Sequence, residues 1–284
     1  KALCKKTQNE YYICGPKLPS SGTICVIQAL LIFENLLNNK KIGSNYLESK
    51  LSILDFIYYL RSKNLADQDF EDIDLEKQFD VNYLVKEFQS YQLVKQKKKV
   101  KNFQEIINST SHFTIIDKYK NVLSATSSIE SSFGSRLFTN GFFLNNQLTD
   151  FSFRIKDKND KLIKNRPYPG KRPLSSMSPL IIFDKKKNFF MTIGSPGGKA
   201  IISYVFRILS DVLFLNGDLE KSIKKPNFIR IKGNTYLEKE EQKKKLFNQG
   251  KVRKLTSGLA SIKVEKNSIQ GIADHRRDGS VRGN

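Results

Sequence analysis

Between residues 95 and 108 the hydrophobic period of the chain changes, and this change restricts the fold more than any other feature. Ahead of it, apolar residues recur at helical spacing: Ile24, Ile27, Leu31 and Leu36 within Ser21–Asn39, then Leu51, Leu54, Ile57, Tyr58 and Leu60 within Tyr46–Lys63. A shorter run of the same kind covers Asn82–Tyr91. Ser21, two residues after Pro19, is expected to cap the first helix. The lysine-rich stretch Lys95 to Lys101 then interrupts the pattern. Beyond it come strand-like segments at His112–Asp117, Val122–Ser128, Gly141–Leu144, Leu180–Phe183 and Asn188–Ile193, the first two joined by a turn at Lys118–Asn121. A long apolar helix over Ala200–Leu215, a helix near Glu238–Phe247 and strands at Leu259–Val264 and Ser268–Ile272 complete the chain. Helices in one block, followed by a block rich in strands, predict an α+β fold rather than alternating α/β.

Composition excludes several classes. With 39% apolar and 11% aromatic residues in 284, the chain can build a sizeable core and is not a disordered protein. Its longest apolar stretch, Ile201–Leu215, is broken by Arg207 and Asp211 and is shorter than the ~20 apolar residues a membrane-spanning helix needs. The formal charge of +21 would suit a nucleic-acid partner, but the lysines fall in scattered runs beside turn residues and are rarely interleaved with aromatics, the pattern of a solvated surface. No specific nucleic-acid partner is therefore expected. Cys4, Cys14 and Cys25 contain no C-x-x-C pair, and His112 and His275 lie far apart, so neither a zinc site nor any other metal or cofactor is expected. The chain opens on Lys1 with no basic and apolar leader after it, which reads as the inside of a longer protein or a processed product.

Chemistry gathers in a few segments. Gly194-Ser195-Pro196-Gly197-Gly198 lies between a strand and a helix, where backbone N–H groups and the helix dipole favour negative charge. It is not a phosphate loop, since three residues separate Gly194 from Gly198 and Ala200, not Ser or Thr, follows Lys199. What remains is a tight turn or an oxyanion hole. Thr110, Ser111 and His112 open the first strand, and Asp150 and the pair Ser175-Ser176 sit at loop positions. Taken singly, each of these is an ordinary turn, cap or strand-edge residue. No G-x-S-x-G elbow is present to place a serine nucleophile.

Taken in order, the segments resemble the gamma-glutamyltransferase family of N-terminal nucleophile hydrolases. The resemblance rests on Leu18-Pro19-Ser20-Ser21-Gly22, Thr110-Ser111-His112-Phe113, the stretch Phe142 to Ser152, the stretch Lys171 to Pro179, and Gly194 to Gly198. Ala273-Asp274-His275-Arg276-Arg277-Asp278-Gly279 adds a sixth segment, similar to the family's C-terminal A-D-P-R-R-x-G. It implies a four-layer αββα sandwich, incomplete at the N-terminus. Residues 1–109 correspond to the later part of a mainly helical large subunit, and residues 110–284 to the small catalytic subunit of the same precursor.

The resemblance also implies roles. The precursor cuts itself before Thr110, which then serves as nucleophile with its freed α-amine as base. Ser128 hydrogen-bonds the nucleophile, Gly197 and Gly198 hold the oxyanion, and His112 supports the strand from behind. Asp150 pairs with the substrate's α-ammonium, Gln147 and Glu130 help to bind it, and Ser175 and Ser176 donate to the α-carboxylate. The implied substrate is glutathione or another gamma-glutamyl compound, with an amino acid, a peptide or water as acceptor. Members are commonly periplasmic or secreted. Four departures stand out: no segment matches the one that carries the family's carboxylate-clamping Arg, Glu130 stands where Asn is frequent, Thr23 replaces a second Gly, and Phe151–Gly170 has no clear match to the family's lid. A beta-lactam side-chain acylase of the same architecture is the nearest alternative, and an inactive binding module is the alternative of a different class.

Overall fold

Two strands too short to show alternation begin the chain. In the computed structural model, which describes residues 2–43, 45–95, 108–265 and 268–283, Leu3–Lys6 (β1) and Tyr12–Gly15 (β2) pair antiparallel. Cys4 and Cys14 are register partners across this hairpin and form a disulfide. The sequence alone left the cysteines unpaired, because the hairpin that brings them opposite each other was not visible in it. Cys25 is a buried free thiol whose pKa is pushed up to about 12 by burial.

The helices predicted from apolar spacing are present as Gly22–Asn38 (α1) and Tyr46–Asn64 (α2), followed by the single turn Leu75–Gln78 (α3) and by Val81–Lys95 (α4). Of the predicted break over Lys95 to Lys101, Lys95 is the last residue of α4 and residues 96–101 lie outside the described residues. Asn108–Ile116 (β3) and Val122–Ser131 (β4) then form a long hairpin, and Phe138–Thr139 (β5) and Phe142–Phe143 (β6) a short one. Leu180–Phe183 (β7) and Phe189–Ile193 (β8) lead into Ile201–Phe214 (α5) and Leu219–Lys224 (α6). A hairpin of Phe228–Ile231 (β9) and Asn234–Leu237 (β10), the turn Glu240–Lys244 (α7) and the short strand Lys251–Val252 (β11) precede Ala260–Glu265 (β12) and Ser268–Ala273 (β13). The helix expected over Glu238–Phe247 is thus reduced to five residues. Strand β10 claims the chain up to Leu237, and the positive φ of Phe247 closes the far end.

Six strands form one antiparallel sheet in the order β1-β2-β7-β8-β12-β13. Strands from both sides of Ser109–Thr110 therefore share one sheet, and their apolar side chains share one core. Period-two alternation separates the two faces. Leu180, Ile182, Met191 and Ile193 are fully buried in the core that α1, α2 and α5 also line. Thr192 points the other way, where its Oγ1 accepts a hydrogen bond from Thr114 Oγ1 at 2.7 Å, so the β3–β4 hairpin lies across the second face. The arrangement is α+β, with a helical layer, the six-stranded sheet and the hairpin stacked in that order.

Helix α1 is apolar nearly all round and buried on all sides, which makes it a central helix rather than a surface one. In α5 every residue from Ile201 to Leu213 is buried. The two charges that interrupt its apolar run are each answered inside: Arg207 donates to Asn227 Oδ1 and the Ser222 carbonyl, and Asp211 accepts from Lys50 at 2.5 Å and from Lys225 at 2.8 Å. Lys50 lies on α2, so this pair ties α2 to α5. Among the described residues no helix is long and apolar enough to cross a membrane.

Candidate active site

Thr110 is buried on β3, directly opposite Ser128 on β4. Their side-chain oxygens are 2.9 Å apart. The strand register shifts between Asn108 and Thr110, so the Ser109–Thr110 peptide sits at an irregularity in the ladder. Ser128 Oγ lies 3.4 Å from the Ser109 carbonyl oxygen and also accepts from the Glu130 N–H at 3.0 Å. One hydroxyl thus touches the groups on both sides of a single peptide bond.

His112, two residues further along β3, pairs across the hairpin with Thr126, and its Nδ1 is 2.9 Å from Thr126 Oγ1. Burial lowers the imidazole pKa to about 4, so the ring is neutral at neutral pH. It lies on Gly194, where a β-carbon would come within 2.3 Å of Cε1. Gly194→Ala is therefore expected to destabilise the protein by about 1–3 kcal/mol through overpacking. Thermal denaturation checks this: the melting temperature should fall by about 2–10 °C, while Gly43→Ala, where a β-carbon meets nothing within 4 Å, should leave it unchanged.

The glycine turn continues into a 3₁₀ turn over Gly198–Ala200 that starts α5. Gly197 has φ 134°, and a β-carbon there would come within 2.7 Å of the Tyr204 ring; Gly198 has φ 54°. At Gly197 both the φ and the Tyr204 ring exclude any other residue. Ser195 within the turn is fully buried, donating to the Pro196 carbonyl at 2.7 Å and accepting from Gly258 N–H at 3.2 Å. Behind the turn, Tyr58 Oη donates to the Lys199 carbonyl at 2.5 Å.

Asp150 ends a 3₁₀ turn that begins at Gln147, and Gln147 Nε2 donates to its Oδ2 in a short hydrogen bond. Burial raises the Asp150 carboxyl, against the pull of Arg61, Gln147 and Lys199. Glu130 is raised by burial and by the neighbouring Asp150 charge. Lys199 is lowered by burial and by Arg61. Asp150, Glu130, Lys199 and Arg61 thus lie within electrostatic range of one another.

Ser175 lies in a strand-like crossing with the segment that enters α1. Its N–H donates to the Pro19 carbonyl at 3.0 Å, and its carbonyl accepts from Ser21 N–H at 2.9 Å and Ser21 Oγ at 2.6 Å. Its own Oγ accepts from Met177 N–H at 3.2 Å. Ser176 is buried, and its carbonyl accepts from Ser178 Oγ at 3.0 Å. Ser21 thus does not cap α1 with its side chain as expected. Its hydroxyl is drawn into the tertiary contact with Ser175 instead, and it accepts from Arg61 Nε at 2.8 Å. Arg61 Nη2 donates to the Leu174 carbonyl at 3.2 Å.

Thr110, Ser128 and Glu130 therefore form one hydrogen-bonded series. Glu130 joins the charged cluster of Asp150, Lys199 and Arg61, which reaches Ser175 through Arg61 and Ser21 and adjoins Gly197 and Gly198 through Lys199. Sequence reasoning missed Arg61, Lys199 and Thr126. A cation near the end of an otherwise apolar helix face was the one available signal for Arg61. Among the described residues no group of three or more His, Cys, Asp or Glu is placed to hold a metal ion.

A family model described as gamma-glutamyltranspeptidase matches residues 1–283. The chain is similar to the glutathione hydrolase proenzyme of Bacillus subtilis strain 168, with 27% identity over 306 residues, 96% of this chain and 51% of that protein. It is also similar to the capsule biosynthesis protein CapD proenzyme of Bacillus anthracis, with 30% identity over 279 residues, 94% of this chain and 49% of that protein. The chain spans about half the length of these curated relatives. Among solved structures, an acivicin-inhibited gamma-glutamyltranspeptidase superimposes with a TM-score of 0.52 at 28% identity, covering 59% of this chain and 99% of that one.

Proposed function

The chain belongs to the gamma-glutamyltranspeptidase family, and from that premise we propose that it cuts itself between Ser109 and Thr110 and then transfers or hydrolyses gamma-glutamyl groups of glutathione-like substrates. The observation that carries this reading is the single Ser128 hydroxyl lying 2.9 Å from Thr110 Oγ1 and 3.4 Å from the Ser109 carbonyl oxygen.

In the first reaction, Thr110 Oγ1 attacks the carbonyl carbon of Ser109 and the peptide nitrogen leaves with a proton. An ester forms between Ser109 and the threonine side chain. The departed nitrogen is then the free Thr110 α-amine, and water cleaves the ester, leaving a carboxyl group on Ser109 and the free Thr110 hydroxyl. In the second reaction this amine takes the hydroxyl proton as Oγ1 attacks the γ-carbonyl of the donor. N–H groups at Gly197 and Gly198 hold the oxyanion, a contact whose single donors are typically worth about 10²–10³-fold in rate. The leaving amine departs with the proton, and water or an acceptor amine then resolves the acyl-enzyme.

Recognition of the donor is remote from the bond that breaks. Asp150, held by Gln147, pairs with the α-ammonium, Glu130 adds a second negative charge, and Ser175 and Ser176 donate to the α-carboxylate. His112, neutral and packed on Gly194, keeps β3 and the glycine turn in register. Residues 1–109 and 110–284 are on this reading parts of the large and small subunits of one precursor.

Incubating the purified full-length protein and sequencing the new N-terminus tests the first reaction, with Thr110 expected as first residue. Release of the anilide from a gamma-glutamyl anilide tests the second. A new N-terminus at any other residue overturns the assignment of the nucleophile.

A further inference from the structure

The 3₁₀ turn that carries Asp150 is held on both sides by asparagine side chains. Ahead of it, Asn146 Oδ1 accepts from Ser131 N–H at 3.0 Å and Asn146 Nδ2 donates to Ser131 Oγ at 2.9 Å, which fixes the turn to β4, the strand of Ser128. At its far end, a turn of this kind leaves its last carbonyls without partners inside the turn. That of Asp150 accepts from Asn165 Nδ2 at 2.8 Å, and Asn165 Oδ1 accepts from Leu174 N–H at 3.1 Å. The Asn165 carbonyl also accepts from Ser152 N–H at 2.8 Å, closing the excursion that leaves the site at Ser152. One planar amide therefore joins the Asp150 turn to the segment that runs directly into Ser175 and Ser176.

The chemistry of this bridge is narrow. A primary amide presents a donor and an acceptor on one rigid plane, so it ties two backbone groups at a set spacing; a carboxylate offers acceptors alone, and an aliphatic side chain offers neither. Spacing matters here because the ammonium and the carboxylate of an α-amino acid sit on a single carbon. A site that reads both tolerates little drift between Asp150 and the serine pair. The Leu174 side is anchored: Leu174 is buried, and Ser175 is bridged through its backbone to Pro19 and Ser21. What Asn165 passes on to Asp150 is thus the position of a fixed segment.

We propose that Asn165 is a positioning residue for donor specificity. It holds the Asp150 carboxylate at the spacing from Ser175 and Ser176 at which an ammonium and a carboxylate on one carbon are bound together. This rests on the gamma-glutamyl reading of the site, and it assigns Asn165 no contact with the donor.

The test is a double-substitution cycle in the full-length protein, read with gamma-glutamyl anilide and with glutaryl anilide, which lacks only the α-amine. Asn165→Ala is expected to lower kcat/KM for the gamma-glutamyl donor by about tenfold to hundredfold, kcat falling as KM rises. The glutaryl donor, which takes nothing from Asp150, should change by less than about threefold. In the Asp150→Ala background the same substitution should lower kcat/KM by less than about threefold on either donor, since a residue that acts through a carboxylate has no effect once that carboxylate is gone. Asn165→Asp keeps the acceptor for Leu174 N–H and removes the donor, so its loss should match that of Asn165→Ala. Being isosteric, it carries the cycle if the alanine variant does not fold. Equal losses on both donors, equal losses in both backgrounds, or an Asn165→Asp protein that behaves as its parent overturn the proposal. If the parent protein turns over neither donor, the gamma-glutamyl reading falls and this inference with it. Turnover by the parent together with any of the preceding results removes this inference alone.

Discussion

Thr110→Ala is expected to leave the full-length protein uncut at Ser109–Thr110 and to lower gamma-glutamyl turnover by about 10⁴-fold or more, the scale on which removal of a catalytic nucleophile is felt. Two reactions depend on the same oxygen, so one substitution removes both. The hydroxyl is buried and shared with Ser128, and no second nucleophile among the residues described stands beside the Ser109 carbonyl except Ser128 itself. Thr110→Ser is the informative companion. It keeps the oxygen and loses only the methyl group, so cutting should persist at a reduced rate. A denaturing gel run over a course of hours, with N-terminal sequencing of the smaller fragment, reads both variants. Continued cleavage of Thr110→Ala before residue 110 would assign the attack to Ser128.

The second large effect concerns donor choice. Asp150→Ala should still cut itself, because the scissile peptide does not touch the carboxylate, yet should lose about 10²–10³-fold in kcat/KM for gamma-glutamyl anilide, as expected when a partly buried ammonium is left unpaired. Glutaryl anilide, which lacks only the α-amine, should be almost indifferent to the substitution. Remote contacts of this kind position the reacting carbonyl, so kcat should fall along with the rise in KM. The pH dependence carries a sign. Burial raises the Asp150 carboxyl, so as pH falls it becomes neutral earlier than an ordinary aspartate and loses its attraction for the ammonium. Turnover of the gamma-glutamyl donor should therefore decline at a higher pH than turnover of the glutaryl donor. Equal acceptance of both donors by the intact protein, unaltered by Asp150→Ala, would favour the acylase alternative.

Much of this molecule is written in local patterns, and the parts that are not share a physical cause. The long helices and the β3–β4 hairpin are legible because each is long enough for its period to repeat, as with Leu51, Leu54 and Ile57 on α2. Strands β1, β2, β9 and β10 have four residues each, too few for alternation to be told from chance, whereas β7, equally short, is apolar throughout and bounded by Pro179 and Asp184. The Cys4–Cys14 pairing was hidden for the same reason. Ser21 shows a different limit: its position does favour a cap, but a carbonyl distant in sequence, that of Ser175, competes for the same hydroxyl and wins. Arg61 and Lys199 are illegible singly, since a cation acquires its meaning from charges that the fold brings to it. The ordered motifs made the remaining site residues visible together, where each alone resembled a turn or a strand edge.

On the proposed reading, cleavage at Ser109–Thr110 would leave the shared sheet whole. Strand β2 lies ahead of Ser109 and β7 after it, and they are zipped by Tyr12↔Phe183, Ile13↔Ile182 and Cys14↔Ile181. Opening the backbone at residue 109 removes none of these pairings, so the two pieces stay interlocked and dilution alone does not part them. What changes is the route back. Before the cut, unfolding and refolding are first order, and each half finds the other at a concentration fixed by the tether. Afterwards, recovery from denaturant is a bimolecular encounter whose yield depends on concentration, and the melting temperature gains a dependence on dilution. Such cleavage would thus make the working life of the protein depend on how slowly its two pieces first come apart.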